Sequence, residues 1–395
     1  MATLCVLGSN SGRNAGDAAI LSSIIHNTLE QAPGTRFEVP APRKRDISRR
    51  YPSDVVRGVP MMPWNLSLRF IGWTTACSIK RSDAVLITDG IIFDVKLLNP
   101  IFNFLILLVF VVPLARLFRK PVICFLVGIG PLDSRLGQKC ARFVCDRCDA
   151  IWVRENDSKT LLESVGIPSE RIEVYADAAF VDPPAGEERV DEILKENGLA
   201  DTAQPLIGIN VNSYVDQWLK KSEGIDGTQF AAELARAVDL LIEEQDCRVV
   251  LVVTQIMDIA YAEGVLAHVN RRDRVAVLDN GRYSSEELMG TMGRMRYFVG
   301  MRLHSLILAA AMDVPCIGLA YAPKVRHFME LMGTPESLIE LADFSAAGLA
   351  AQVQRLSAND GELRPAWTTR VATLKKQARA GYQALAARYL IHESP

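Results

Sequence analysis

Short runs of aliphatic and β-branched residues recur along the chain and alternate with longer stretches of mixed polarity. In the first half these runs fall at residues 4–7, 84–88, 122–127, 150–153 and 172–175. A second series follows at 206–210, 248–253, 275–278, 297–299 and 316–319. Most of these runs are apolar on consecutive positions, which suits a strand covered on both faces rather than one with a wet side. Strands of this kind separated by helix-length stretches predict parallel sheets, and two series predict two α/β domains. The break falls near Asp182-Pro183-Pro184 and the polar stretch 187–197. The expected organisation is therefore an N-terminal domain at 1–182, a C-terminal domain at 183–346 and terminal helices at 347–395. Internal repeats and low-complexity segments do not stand out.

Ligands of open parallel sheets bind outside the carboxyl ends of the strands. Two such edges facing each other would form an interdomain cleft, so the polar residues that directly follow strands carry most of the information. The sharpest segment runs from the 297–299 strand through Gly300-Met301-Arg302-Leu303-His304-Ser305 into an apolar helix. Val314-Pro315, a strand and Tyr321-Ala322-Pro323-Lys324 come next. If the two strands are parallel neighbours, Arg302, His304 and Lys324 reach one sheet edge, beside a helix N-terminus whose free N–H groups favour an anion. Arginine can grip a phosphate through two hydrogen bonds and lysine supplies a movable charge. Taken singly, these residues read as a salt-bridged arginine, a turn histidine and a solvated lysine. Together at one edge they favour a bound phosphate.

In the N-terminal half Arg154 follows the 150–153 strand and is expected to face the same gap, although a local pairing with Glu155 fits its spacing as well. Asp157 or Ser158 is suited to cap the next helix. The loop Gly8-Ser9-Asn10-Ser11-Gly12-Arg13-Asn14-Ala15-Gly16-Asp17 has neither the GxGxxG spacing nor a P-loop lysine. Its Asn10, Asn14 and Asp17 suit sugar hydroxyls, with a tight turn and a capping Asp17 as the structural alternative. Asp89 after the 84–88 strand is a further acceptor-side candidate, with a helix cap as its alternative. The remaining strand-end candidates are Gly128-Ile129-Gly130-Pro131, Asp177, Asn210-Val211-Asn212 and Thr254-Gln255.

With 395 residues there is room for two cores, and a net charge of -2 argues against a general nucleic-acid binder. The start, an apolar strand and a glycine-rich loop, lacks the features of a secretory leader, and a cytoplasmic protein is expected. Cys5, Cys124 and Cys316 sit in apolar runs and read as small buried hydrophobes. Cys145 and Cys148 form a lone CxxC near Cys140, without a second ligand pair or a nearby histidine, so reduced thiols are favoured over zinc. Residues 104–112 are strongly apolar but too few to span a bilayer. They share a half of the chain with Met61-Met62-Pro63-Trp64, Phe70, Trp73 and the basic stretch Arg43-Lys44-Arg45 to Arg49-Arg50, a composition that suits peripheral contact with a membrane.

Several of these segments resemble the motifs of the polysaccharide pyruvyl transferase family. Asn14-Ala15-Gly16-Asp17-Ala18-Ala19-Ile20 is similar to its opening motif. Gly128 to Leu132, Val153-Arg154-Glu155 with Ser158, and Tyr175-Ala176-Asp177 look like its middle motifs. Gly300 to Ser305 and Val314-Pro315 through Lys324-Val325 look like its C-terminal signature, by far the most specific part. The resemblance implies two Rossmann-like domains facing across a cleft, as in GT-B glycosyltransferases, with C-terminal helices. It also implies transfer of the enolpyruvyl unit of phosphoenolpyruvate to a sugar of a surface glycan, free or lipid-linked, as a pyruvate ketal. Arg154, Arg302, His304 and Lys324 would then form the phosphoenolpyruvate-binding and catalytic set, with no metal or separate cofactor. Family members commonly carry a Gly-Gly pair where this chain has Asp89-Gly90, which bears on the acceptor rather than the donor. A nucleotide-sugar glycosyltransferase and a non-catalytic glycan-binding protein are the competing readings.

Overall fold

The computed structural model describes residues 2–61, 64–99, 103–200, 203–213 and 227–391, and the backbone alone for 64–72. Its residues divide into two compact units, Met1–Gly12 with Asp17–Asp182 and Leu374–Pro395, and Arg13–Gly16 with Pro183–Thr373.

The first unit is built on strands β1 (Thr3–Leu7), β2 (Arg36–Ala41), β3 (Val56–Pro60), β4 (Ala84–Ile87), β5 (Val122–Val127), β6 (Ala150–Val153) and β7 (Ile172–Val174). They form one sheet in the order β3-β2-β1-β4-β5-β6-β7, with every pair parallel. All residues of β4, β5 and β6 are buried, as their unbroken apolar character requires. The pattern of apolar runs does not reveal β2 and β3. A carboxylate, Glu38, lies in the middle of β2, and Pro40 follows two residues later. Glu38 is nonetheless buried, because the helix Trp64–Arg81 supplies its partners. Arg81 donates to both carboxylate oxygens, at 3.1 and 2.9 Å, and the Ser78 hydroxyl donates at 2.8 Å. A charge in a strand interior reads as a loop until its partner is known.

The second unit contains β8 (Leu206–Asn210), β9 (Arg248–Val253), β10 (Val275–Asp279), β11 (Tyr297–Gly300), β12 (Cys316–Ala320) and β13 (Leu338–Glu340). The order is β10-β9-β8-β11-β12-β13, again all parallel. Both sheets reverse their strand order once, between β1 and β4 and between β8 and β11, and such reversals open a crevice at the carboxyl ends of the strands.

The C-terminal stretch does not make a third body. The helix Ala346–Ala358 buries Leu349, Val353 and Leu356 in the second unit's core, where Phe344 meets Phe230 at 4.8 Å between ring centroids. The end of the helix Asp360–Leu385 belongs to the first unit. There the Tyr382 ring lies 5.1 Å from Phe125, and its hydroxyl is 2.8 Å from the Ser23 hydroxyl. Arg388, just beyond, pairs with Glu173 at 2.6 Å. Helices read from periodicity alone look like an appendage, whereas these bury aromatic rings that hold the final residues to the first sheet. The CxxC thiols are also core groups. Cys124, Cys145 and Cys148 are buried, and the Cys124 and Cys148 sulfurs lie 3.6 Å apart.

Because Tyr382 is buried between the sheet and the first helix, Tyr382→Ala should destabilise the first unit by about 3 kcal/mol. Urea unfolding followed by tryptophan fluorescence checks this, and a loss well under 1 kcal/mol would place the C-terminal helix outside the cooperative core.

Candidate active site

In the second unit the chain leaves β11 at Gly300 and enters the helix Leu303–Ala311 with Arg302 as its N-cap residue. It leaves the neighbouring strand β12 at Ala320 and enters the helix Pro323–Met332. Gly300 pairs in register with Gly318, so Arg302, His304 and Lys324 all follow the carboxyl ends of adjacent parallel strands. The expected juxtaposition at one sheet edge is therefore present. The Arg302 N–H donates to the Asn210 side-chain oxygen at 3.0 Å, which ties β11 to the end of β8 across the reversal in strand order.

The guanidinium of Arg302 is held differently from the sequence expectation. Its Nε and Nη2 donate to the two oxygens of Asp258, at 2.5 and 2.9 Å. Asp258 is fully buried and also accepts from the Ser213 amide and hydroxyl, at 2.9 and 2.7 Å. The two-bond grip that this edge of the arginine was expected to offer a phosphate is already made to Asp258. What the geometry provides instead is a cation with a fixed plane. Asp258 carries no motif signal in the sequence beyond following β9 by a few residues.

His304 sits in the first turn of its helix, and the segment Arg13–Gly16 lies against it. This segment belongs to the second unit rather than the first. The Ala15 N–H donates to the Thr254 carbonyl at 2.8 Å, the Ile256 N–H to the Arg13 carbonyl at 3.1 Å, and Asn14 bridges Gln255. Asn14 also accepts from the Gly16 N–H at 2.9 Å, a side-chain turn at the helix start. A Cβ on Gly16 would lie 2.3 Å from that of His304 and 2.4 Å from its Nδ1. Glycine is required here so that backbone can pack on the imidazole. Lys324 is exposed, with its ammonium 5.7 Å from the centroid of Tyr321.

In the first unit Arg154 follows β6 with its side chain only 10% exposed. Its Nε donates to Glu155 at 2.8 Å and its Nη1 to Asp177 at 2.9 Å. The local pairing with Glu155 is thus made, and Asp177 joins it. Burial works against the charge, but Glu155 and Asp177 more than offset this and raise the pKa of Arg154 above its ordinary value. The guanidinium packs on Gly128, where a Cβ would come within 2.5 Å of Nη2. Ser158 does not cap its helix. It accepts from the Ile129 N–H at 2.8 Å and donates to Glu155, so it orients the carboxylate that orients Arg154. The middle motifs are therefore one connected ion and hydrogen-bond network.

Asp89 lies at the other reversal in strand order, between β4 and β1, and accepts from the Ser9 N–H at 2.6 Å. Its φ of 63° is left-handed, a conformation that favours glycine and that aspartate tolerates. Burial pushes its carboxyl well above the usual carboxylate range, and repulsion from Asp17 adds to this, against the Ser9 N–H and Arg154. Asp89 caps no helix among the described elements. Asn10 is not presented to a ligand. It is buried, and its amide donates to the Val6 and Pro40 carbonyls at 3.2 and 3.4 Å, joining the ends of β1 and β2.

The model of the family described as polysaccharide pyruvyl transferase matches residues 14–323. The chain belongs to the polysaccharide pyruvyl transferase family. Its match begins at Asn14 and ends at Pro323, so both segments that surround His304 fall inside it. The amylovoran biosynthesis protein AmsJ of Erwinia amylovora is 24% identical over 260 residues, 63% of this chain and 61% of that protein. Among solved structures, a UDP-GlcNAc 2-epimerase from Neisseria meningitidis bound to UDP-GlcNAc matches 98% of this chain and 100% of its own, with a TM-score of 0.66 and 12% identity. The ADP-heptose LPS heptosyltransferase II of E. coli matches 91% and 100%, with a TM-score of 0.52 and 14% identity. At such identities these two establish the fold, two parallel-sheet α/β domains of the GT-B kind. The left-handed backbone at Asp89 accounts physically for the glycine common at that place in the pyruvyl transferases.

Two outcomes follow from this geometry. Gly16→Ala should displace the His304 ring, visible as a change in its NMR chemical shifts, and should lower stability by about 1–3 kcal/mol although alanine is the better helix former. An unmoved His304 spectrum would contradict the close approach. Asp89 has a raised pKa, so its folded form prefers the proton, and stability is lost as pH rises from its unfolded value through its folded one. Asp89→Asn should therefore raise the melting midpoint at about pH 8, with the gain shrinking towards about pH 4. A gain independent of pH would remove the titration of Asp89 from the cause.

Proposed function

We propose that this protein transfers the enolpyruvyl unit of phosphoenolpyruvate to two hydroxyls of a sugar in a surface or exopolysaccharide, forming a pyruvate ketal and releasing phosphate. The observation that carries the reading is the set Arg302, His304 and Lys324 at the ends of two adjacent parallel strands, the first two within the matched family segment and Lys324 directly after it. Phosphate charge would be met by Lys324, the positive end of the helix Leu303–Ala311 and the fixed positive charge of Arg302. Arg154, with its guanidinium plane set by Asp177 and Glu155, is assigned to the carboxylate of phosphoenolpyruvate.

In the proposed reaction a proton adds to the methylene carbon, which becomes a methyl group and leaves C2 electrophilic. A sugar hydroxyl attacks C2 and gives up its proton, and the C2–O bond to phosphate breaks with the electron pair going to the phosphate. A second hydroxyl of the same sugar then closes the ring and loses its proton. His304 is suited to move a proton in these steps, since a neutral imidazole carries one donor and one acceptor nitrogen. Positive charge fixed in advance stabilises the leaving phosphate without reorganisation, often the largest catalytic contribution. Asp17 and Asp89 are assigned to the acceptor hydroxyls, and Asn14 supports the same loop. No metal or separate cofactor is part of the proposal. The acceptor is a glycan, free or lipid-linked, and the proposed place of work is the cytoplasmic face of the membrane.

Incubation with phosphoenolpyruvate and acceptor glycan should release inorganic phosphate and add the mass of pyruvate less one water to the glycan. Lys324→Ala and His304→Ala should each slow phosphate release by roughly a hundredfold or more with the fold intact. Release of a nucleoside diphosphate from a nucleotide sugar, with phosphoenolpyruvate untouched, would replace this reading with glycosyl transfer. Near-parent activity in both variants would remove the phosphate assignment.

A further inference from the structure

The helix Leu105–Leu117 in the first unit is apolar around its whole circumference up to Arg116. Its inner side buries Leu105, Leu108, Val111, Val112 and Ala115 in the core. Its outer side carries Phe110, 59% exposed, and Leu117, 76% exposed, with Ile106 and Pro113 partly exposed on the same stripe. A helix on the surface of a soluble domain ordinarily turns polar residues outward. The apolar surface continues into the loop before the helix, where Leu98 is 79% exposed. Asn103 fixes that loop against the helix start. Its amide donates to the Phe93 and Val95 carbonyls at 2.8 and 3.1 Å, and its side-chain oxygen accepts from the Leu105 N–H at 2.8 Å. The neighbouring helix Trp64–Arg81 packs against Leu105–Leu117 and adds the exposed Trp73. Met61 is buried, Met62 and Pro63 lie outside the described residues, and so do the side chains of Trp64 and Phe70.

Along the chain, the charges of this stretch have one sign. From Lys96 to Lys120 the chain contains no Asp or Glu, while Arg116, Arg119 and Lys120 close the C-terminal end of the helix. Arg116 is paired with Asp149 at 2.8 Å, which leaves Arg119 and Lys120 as the basic rim. Thirteen residues make a helix about 20 Å long, too short to span a bilayer, and among the described residues no helix is long and apolar enough to cross one. An apolar stripe with a basic rim fits a helix lying in the headgroup layer of an anionic membrane.

We propose that the outer face of Leu105–Leu117, with Leu98 and the Arg119–Lys120 rim, seats this protein on an anionic lipid bilayer. A second copy of the chain is the poorer occupant, because the helix and the loop before it offer no carboxylate to meet the basic rim. The inference is independent of the chemistry assigned to the sheet edges, though it accords with a lipid-linked acceptor.

Sedimentation of the full chain with vesicles of phosphatidylcholine, with and without phosphatidylglycerol, tests it. Binding should require phosphatidylglycerol and weaken in high salt. Phe110→Ser with Leu117→Ser should reduce vesicle partitioning by at least about tenfold, with an unchanged melting midpoint and unchanged phosphate release on a water-soluble acceptor. Should that pair perturb folding, Arg119→Gln with Lys120→Gln serves instead, with about a fivefold loss for each charge removed. Absence of binding to anionic vesicles, equal binding to purely zwitterionic ones, or parent-like binding by well-folded variants would overturn the proposal. So would a dimer that dissociates in the Phe110→Ser, Leu117→Ser variant without any vesicle binding by the parent. Loss of phosphate release with vesicle binding retained would count against the proposed chemistry and leave this inference standing.

Discussion

A guanidinium at the edge of a parallel sheet keeps its charge although it is mostly out of water, and carboxylates must meet it to offset the desolvation and fix its plane. Both central arginines of this protein obey that constraint. Asp258 takes two bonds from Arg302 and is itself anchored by Ser213. Asp177 and Glu155 hold Arg154 on its two sides, with Ser158 behind Glu155. Each arginine is thereby a positioned charge rather than a flexible arm. A site that must stabilise a leaving anion benefits from that arrangement, because little reorganisation is left for the reaction itself. Arg302 in particular is fixed through the edge that a free arginine would use to grip an anion, so its plane is set by Asp258.

The two reversals in strand order are each bridged by one side-chain-to-backbone hydrogen bond. Asp89 at the end of β4 reaches the Ser9 amide after β1, and Asn210 at the end of β8 reaches the Arg302 amide after β11. In one unit the bridging group is a carboxyl whose charge burial opposes, and in the other it is a neutral amide beside a cation. The same topology therefore opens a crevice in each unit with a different polar group at its base. Two glycines complete these crevices by letting backbone approach where any Cβ would collide, Gly16 on His304 and Gly128 on Arg154. Their motif positions have this steric cause.

The similarity to epimerases and heptosyltransferases extends over nearly the whole chain at very low identity, so it speaks for the scaffold. The family assignment rests on residues 14–323, and what distinguishes the chain chemically is concentrated at a few strand ends within that stretch. Outside those ends, the apolar outer face of Leu105–Leu117 is the departure from an ordinary soluble surface that packing within the first unit does not explain.

Ten of the strands were legible as short apolar runs, nine of them essentially unbroken because a strand covered on both faces has no polar register to hide it, and β7 despite Glu173 at its centre. Strands β2, β3 and β13 were not. Glu38 and Pro40 disguise β2, β3 alternates around Arg57, and β13 has only three residues. Arg302, His304 and Lys324 could be placed at one edge from sequence because each follows a strand and parallel pairing brings strand ends together. Asp258 could not be found, since nothing along the chain marks which buried acid meets which arginine. Asn10 looked like a sugar ligand, yet it closes the ends of β1 and β2. Sequence by itself determined the alternation of strands and helices, the family and the strand-end cations, all of which depend on local pattern. Only the tertiary structure decided that residues 13–16 belong with the second unit, that the last helix returns to the first, and that both arginines are held by carboxylates. Those outcomes depend on contacts between residues far apart in the chain, whose pairing is settled by packing and desolvation rather than by spacing.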